Sequence, residues 1–290
     1  MVHLIVNPTA GNGRARRVGE EMAALLARQG VPHAVSLTES AGHATRLAKD
    51  AALKGADTVA AVGGDGTICE TARGLYGTGA ALGVIPAGTG NDIIKVLEIP
   101  GKPEAALLHL LQKPARPLDA GLANDLLFLN ACGTGFDACV LAYSIAAKKY
   151  ARGMFPYLWG VLRAIIAYRP VALTVAVDDE PPFTKKLMLM AAANGRFIGG
   201  GMKVAPNALP DDGLLDLILL ESMPNWKMPR QLIKLLTGRI LDIPGISVRH
   251  CRRAAVSGAA GQILLNLDGE LVPVESAAFE VLPGALMARW

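Results

Sequence analysis

The chain has 290 residues, 51% of them hydrophobic and 19% charged, with a formal net charge of +4 and a mean hydropathy of +0.34. This is ample core material for one large or two ordinary domains and excludes disorder as the main theme. The mild positive charge is too small to indicate nucleic acid and is compatible with an anionic small molecule or a membrane surface.

The chain enters Val2-His3-Leu4-Ile5-Val6 with no basic leader or small-residue cleavage site, which predicts a cytoplasmic protein. Val2 to Val6 reads as a buried strand, Arg14 to Gln29 as a helix ending at Gly30, and His33 to Leu37 as a second strand. Helix is expected again over Gly42 to Leu53 and Thr67 to Leu75, with strands at Asp57 to Val62 and Ala81 to Ile85. Such alternation implies a mostly parallel sheet covered by helices on both faces. The Lys113-Pro114-Ala115-Arg116-Pro117 segment carries two prolines and reads as a domain boundary. Beyond it strands dominate, at Leu126 to Asn130, Ala172 to Val177, Leu187 to Ala193, Leu214 to Leu220, Ala254 to Val256, Gln262 to Leu267 and Ala278 to Leu282. Helical insertions are expected near 136–168 and 226–239. A membrane span is not expected, because the most apolar stretch, Met154 to Tyr168, contains Pro156 and Arg163. Cys69, Cys132, Cys139 and Cys251 are scattered without a CxxC pair and read as reduced, mostly buried thiols.

In an open parallel sheet, ligands bind beyond the carboxyl ends of the strands. Three of those ends are glycine-rich: Asn7-Pro8-Thr9-Ala10-Gly11-Asn12-Gly13, Gly63-Gly64-Asp65-Gly66-Thr67 and Pro86-Ala87-Gly88-Thr89-Gly90-Asn91-Asp92. Glycine lets the backbone come close to a ligand, and a following helix N-terminus adds partial positive charge, so three such turns at one edge make an anion cradle suited to a polyphosphate. Neither GxxxxGK[ST] nor a complete dinucleotide fingerprint is present. Arg14, Arg16 and Arg17 crowd the start of the first helix, either as phosphate neighbours or as a solvated basic face.

The NPTAG at 7–11, GGDGT at 63–67 and GTGND at 88–92 resemble, in order and spacing, the diacylglycerol kinase catalytic-domain family, which includes sphingosine and ceramide kinases and soluble bacterial lipid kinases. Leu118-Asp119-Ala120-Gly121, Gly133-Thr134-Gly135-Phe136-Asp137-Ala138, Asn194 with Gly199-Gly200-Gly201, Pro210-Asp211-Asp212-Gly213 and Asp268-Gly269-Glu270 extend the likeness over nearly the whole chain. The resemblance implies an NAD-kinase-like α/β fold of two domains. A Rossmann-like parallel α/β domain at 1–117 would be followed by a β-sandwich domain at 118–290, with the last residues free to return to the first. It also implies ATP in the cleft between the domains and transfer of the γ-phosphoryl group to a lipid hydroxyl. By motif match, Asn7, Thr9, Gly11, Thr38, Gly64, Asp65, Gly66, Thr67, Glu70 and Thr89 would contact the nucleotide, and Asp65 would help hold a catalytic Mg²⁺.

Asp-Gly after the alternating Ile263 to Leu267 is by itself a hairpin turn signal. The family match makes Asp268 the general base and Glu270 its partner or replacement, in an order left open. Leu209 to Leu214 reads by itself as an Asp-Gly turn. Carried over from the family, the Asp212 carboxylate and the Leu209 and Leu214 carbonyls would bind a structural Mg²⁺ or Ca²⁺. Asp92 is open between a block carboxylate and a helix cap, and Asp119 between a block carboxylate and a strand-end hydrogen bond. Lys148, Lys149, Arg152 and Arg163 flank Met154-Phe155-Pro156-Tyr157-Leu158-Trp159, a stretch that either packs in the core or rests transiently on an anionic membrane carrying the lipid substrate. Oligomeric state stays open between monomer and homodimer. The rival readings are an NAD kinase, which shares GGDGT, and a non-catalytic lipid- or nucleotide-binding regulator.

Overall fold

The computed structural model of the chain describes every residue except 148, 151–154, 259, 260 and 262. It divides into two compact units, the first formed by Met1–Ala120, Pro210–Asp212 and Pro283–Trp290. This first unit contains β1 (Val2–Val6), α1 (Arg14–Arg28), β2 (His33–Leu37), α2 (His43–Leu53), β3 (Thr58–Gly63), α3 (Asp65–Leu75), β4 (Ala81–Pro86), α4 (Asp92–Val96) and α5 (Pro103–Gln112). The strands lie in the order β2-β1-β3-β4, all parallel. Their C-terminal ends are level: Val6 is in register with both Leu37 and Val62, and Val62 with Ile85. Continuous apolar runs suit strands buried on both faces. On α1, Ala15, Val18, Met22 and Leu26 recur at helical spacing and pack with Leu4, Val6, Val62, Ile85, Leu107 and Leu110.

Helix α3 starts at Asp65, two residues before the expected Thr67, because the extended Gly64 serves as its N-cap. The expected boundary at Lys113 to Pro117 instead runs into a strand, β5 (Ala115–Ala123), with both prolines at or before its opening residues, where the missing N–H is tolerated. At the end of the chain, Met287 and Ala288 pair in parallel with Ala81 and Leu82. Arg289 anchors that pairing, its Nε donating to Thr58 Oγ1 at 2.9 Å and its Nη1 to the Lys113 carbonyl at 2.7 Å. The Arg116 guanidinium stacks 3.8 Å from the Trp290 ring.

The second unit, Gly121–Leu209 and Gly213–Leu282, is a β-sandwich with helical insertions. After β5 it contains β6 (Leu126–Phe128), β7 (Ala131–Gly135), α6 (Phe136–Ala147), α7 (Phe155–Ala167), β8 (Val171–Val177), β9 (Phe183–Ala193), β10 (Phe197–Ile198), β11 (Met202–Lys203) and β12 (Leu215–Glu221). Then come α8 (Met228–Leu236), β13 (Ile246–Cys251), β14 (Arg253–Gly258), β15 (Ile263–Leu267), β16 (Glu270–Val274) and β17 (Ser276–Arg289), whose residues from Pro283 on belong to the first unit. The long β9 organises the unit, pairing antiparallel with β7, β8 and β12. Side chains from strands across the unit, among them Phe128, Leu173, Met190, Leu217, Leu265 and Phe279, form one buried cluster. All four cysteines are free thiols, three of them buried. No helix among the described residues is long and apolar enough to cross a membrane.

Candidate active site

In the first unit the three glycine loops lie at one edge of the sheet and pack backbone against backbone. Gly11 has φ +59°, and a Cβ there would run into the Ala87 carbonyl oxygen of the third loop. A Cβ on Gly88 would strike the Gly64 Cα of the second loop. Side chains add to this: Asn7 Oδ1 accepts from the Thr9 N–H at 3.1 Å and the Thr9 hydroxyl at 2.8 Å, while Asn7 Nδ2 donates to Thr67 Oγ1 at 3.2 Å. Thr38, directly after β2, donates its N–H to the Val6 carbonyl at 2.9 Å, at the same edge. Asp65 opens α3, and its Oδ1 accepts the Ile93 N–H at 3.0 Å, linking the second loop to α4.

Gly66 lies in the first turn of α3, where an added Cβ would meet nothing within 4 Å. It needs no special backbone freedom, so its value is open space beside a helix N-terminus. Thr89 stands exposed on the third loop. Glu70 is placed differently from the others: its carboxylate accepts the Ala44 N–H at 3.1 Å, in the first turn of α2. Arg14, Arg16 and Arg17 are exposed, and Arg17 pairs with Glu21 one turn on.

Two residues, one in the third loop and one in the helix that follows it, were not singled out from the sequence as ligand contacts. Lys95 donates to the Gly90 carbonyl and to Asp92 Oδ1, both at 3.0 Å, so Asp92 is an ion-pair partner that braces the loop. Asn91 adopts φ 51°, and its buried Oδ1 has no partner. Asparagine at a position needing left-handed backbone, next to Gly90, was the available signal.

These groups fit a Mg²⁺ carried in on phosphates. Such a cation needs only one or two protein carboxylates. Asp65 stands at the loop edge, an acceptor oxygen at Asn91 lacks a donor, and among the described residues no three of His, Cys, Asp and Glu cluster as a dedicated metal cage.

In the second unit the β15–β16 turn treats its two carboxylates differently. Asp268 adopts φ 48°. Its Oδ1 accepts the N–H groups of Asn130 and Ala131, each at 3.0 Å, and its Oδ2 accepts that of Leu129 at 2.7 Å. Three donors occupy most of the roughly four lone-pair positions of a carboxylate, so Asp268 clamps the turn onto the start of β7. Glu270 is exposed at the start of β16.

Asn266 braces the same turn. Its Oδ1 accepts the Gly269 N–H at 3.0 Å, and its Nδ2 donates to Asp137 Oδ2 at 3.2 Å. Asp137 lies in the first turn of α6 with its Oδ1 buried and unpartnered. Burial pushes its carboxyl up to about 6 from 3.8, against the opposing pull of the Ala138 N–H and the Asn266 amide. Burial, reinforced by the Asp137 charge, also raises the Tyr168 phenol.

Asp212 is exposed, and the buried Pro210 beside it accepts the Asp119 N–H through its carbonyl at 2.8 Å. Asp119 in turn accepts the Gly284 N–H at 2.7 Å, the strand-end role open to it from the sequence. An exposed Asp212 supplies a carboxylate oxygen of the kind a hard cation takes. The basic flank at Lys148 and Arg152, and Met154, lie outside the described residues.

Known proteins place these features in context. Residues 1–123 match the family described as the diacylglycerol kinase catalytic domain, and residues 130–288 the YegS C-terminal NAD kinase beta sandwich-like domain. The chain is 35% identical over 278 residues to a probable lipid kinase YegS-like protein of Pseudomonas aeruginosa, covering 92% of this chain and 88% of that one. It is 31% identical over 271 residues to a diacylglycerol kinase of Bacillus subtilis, again covering 92% and 88%. A crystal structure from Bacillus anthracis matches with a TM-score of 0.83 at 24% identity, covering 100% of this chain and 97% of that one. At that identity the likeness speaks for the fold alone.

Proposed function

Because the chain belongs to the diacylglycerol kinase catalytic-domain family of lipid kinases, we propose that it transfers the γ-phosphoryl group of ATP to a lipid hydroxyl, with diacylglycerol the first candidate. The observation that carries this reading is the set of three interlocked glycine loops, with open space at Gly66 beside the N-terminus of α3. Such a cradle presents backbone N–H groups and a helix dipole to phosphate oxygens. Asn7, Thr9 and Thr67 offer polar groups at the same edge. A bound Mg²⁺ supplies neutralisation of charge on the phosphoryl oxygens, and Asp65 and Asn91 are the residues that would hold it.

Glu270 takes the general-base role. Its exposed carboxylate accepts the proton of the lipid hydroxyl as that oxygen bonds to the γ-phosphorus and ADP leaves. Asp268 keeps the turn in place through its three N–H bonds and does not move a proton. Asp212, with the carbonyls of Leu209 and Leu214, is assigned to a structural Mg²⁺ or Ca²⁺.

The test is incubation of the full chain with γ-labelled ATP, Mg²⁺ and, separately, diacylglycerol, monoacylglycerol, sphingosine, ceramide, phosphatidylglycerol and NAD. Label is expected in a lipid, most strongly in diacylglycerol. Label in NAD instead would establish the rival kinase reading, and label in none would leave a binding protein.

A further inference from the structure

Asn266 joins Asp137 to the turn that carries Glu270. On β15 it lies opposite Gly133 of β7 on one side and Leu271 of β16 on the other. Its Oδ1 accepts the N–H of Gly269, the residue immediately before Glu270. A backbone N–H can only donate, so this bond fixes the amide and turns Nδ2 toward Asp137 Oδ2, 3.2 Å away. Gly133 keeps that path open, since a Cβ there would stand 2.8 Å from Asp137 Oδ2. The turn being held is an unusual one, with left-handed backbone at both Asp268 and Gly269, φ 48° and 90°.

The protonation of Asp137 decides how well this series of contacts holds. As a carboxylate it accepts from Nδ2 in a charge-assisted bond, roughly twice as strong as a neutral one. As an acid it carries a proton on one of its oxygens. On Oδ2 that proton would oppose the Asn266 N–H, and turning the amide over would set Nδ2 against the Gly269 N–H. On Oδ1 it would meet no acceptor, because that oxygen is buried without a partner, and Asn266 would keep only a neutral acceptor. The Asn266 amide is among the contacts that pull the Asp137 carboxyl down. Such coupling is reciprocal: what Asn266 does for the charged form, ionisation returns to the Asn266 bond.

Around Asp137 stand Cys139 on its own helix, Cys132 on β7, Tyr168 after α7 and, reached through Cys132, Asp268. Burial raises both thiols and the phenol, so none of the three takes charge below about pH 8. β16 lies beside α6 and brings Glu270, and β9 meets the Gly133 position with Ala191 and the Met190 carbonyl. Arg163 of α7 stacks 5.5 Å over Tyr143, six residues along α6 from Asp137, and Arg169 donates to the carbonyls of Ile166 and Tyr168.

We propose that Asp137 and Asn266 are positioning residues for phosphoryl transfer: the ionised Asp137 carboxylate holds the Asn266 amide, the amide holds Gly269, and Gly269 sets Glu270 for the proton of the lipid hydroxyl. Both act through the turn and not on the lipid. The effect on turnover rests on the lipid-kinase reading, whereas the coupling itself is read without ATP or lipid.

The experiment is an amide NMR titration of the full chain from pH 5 to 8, joined to kcat and KM over the same range with a dispersed short-chain diacylglycerol. In wild type the Gly269 N–H signal should inflect near pH 6, and in Asp137→Asn it should stay flat. That variant keeps the shape and an acceptor oxygen for Asn266 while remaining neutral, so it should fold. The ratio of wild-type to variant kcat should rise about three- to tenfold as pH passes through 6, with KM for ATP unchanged. Asn266→Ala should move the Asp137 titration to higher pH, read from the side-chain carboxyl carbon. A Gly269 signal that does not inflect in wild type, or inflects equally in Asp137→Asn, overturns the proposal. So does a kcat ratio flat in pH, which is what a purely structural pair would give while changing only the melting temperature, or an Asp137 titration unmoved by Asn266→Ala. Gly269 titrating as expected in a chain that labels no lipid would sink the kinase reading and leave the coupling to the turn standing.

Discussion

Asp268→Asn separates the two roles of the Asp268-Gly269-Glu270 turn. In an ordinary hairpin the change would be almost silent, because asparagine before glycine serves a left-handed turn as well as aspartate does. Here the side chain does more than turn. One oxygen of the new amide could still accept from Asn130 and Ala131, but its nitrogen would face the Leu129 N–H where a 2.7 Å bond now exists. Flipping the amide would turn two N–H groups against the nitrogen instead of one. A hydrogen bond to a charged group is worth about 1.5–3 kcal/mol, and leaving its buried donor unmet costs about 1–3 kcal/mol; the terms overlap, so a loss of roughly 2–4 kcal/mol is expected. Urea unfolding followed by circular dichroism reads the loss, and amide exchange at 129–131 localises it. A variant with the wild-type midpoint, protected amides at 129–131 and collapsed turnover would refute the clamp and return the base role to Asp268.

Gly66→Val should leave melting unchanged, because its Cβ enters open space, while ATP affinity by calorimetry falls at least tenfold; unchanged affinity would count against the cradle. Asp212→Ala should abolish a melting-temperature rise produced by Mg²⁺ or Ca²⁺ in the wild type; an equal rise in both proteins would remove the cation from that loop. Asp137 carries a pH signature. Its folded-state value of about 6 lies above the unfolded 3.8, so the neutral acid favours the fold, and that contribution is full below about pH 4 and lost as pH rises through 6. The loss amounts to roughly 3 kcal/mol, and Asp137→Asn, which cannot ionise, should gain that much relative to wild type between pH 4 and 8. A stability difference independent of pH would contradict a buried, titrating Asp137.

The first sheet was legible because Val2–Val6, Thr58–Gly63 and Ala81–Pro86 are largely apolar runs that lead into glycine-rich loops. Level strand ends then follow from parallel pairing, which is why three loops could be expected to converge. Strand β5 was hidden by Pro114 and Pro117, which look like a linker when the pairing partner is unknown. Strand β7, Ala-Cys-Gly-Thr-Gly, has little β propensity beyond Thr134 and pairs with β9 and β15 on either side.

The same divide runs through the site. Asn7, Thr9 and Thr67 come together because short loops bring them to one edge. The roles of Asp268 and Glu70 depend on remote backbone N–H groups, at 129–131 and at 44, that no local pattern announces. The aromatic stretch before Trp159 left core and surface open, and the exposure of Phe155, Leu158 and Trp159 on α7 required knowing which side meets α6.

Transfer of label from γ-labelled ATP to diacylglycerol vesicles, by wild type and by Glu270→Gln side by side, tests the central claim most directly. Glu270 is exposed and glutamine keeps its shape, so the variant should fold and bind ATP as wild type does. Wild type should label the lipid, and the variant should do so about 10²–10⁴-fold more slowly. Wild type that leaves the lipid unlabelled, or a variant that labels it at the wild-type rate, would contradict the account.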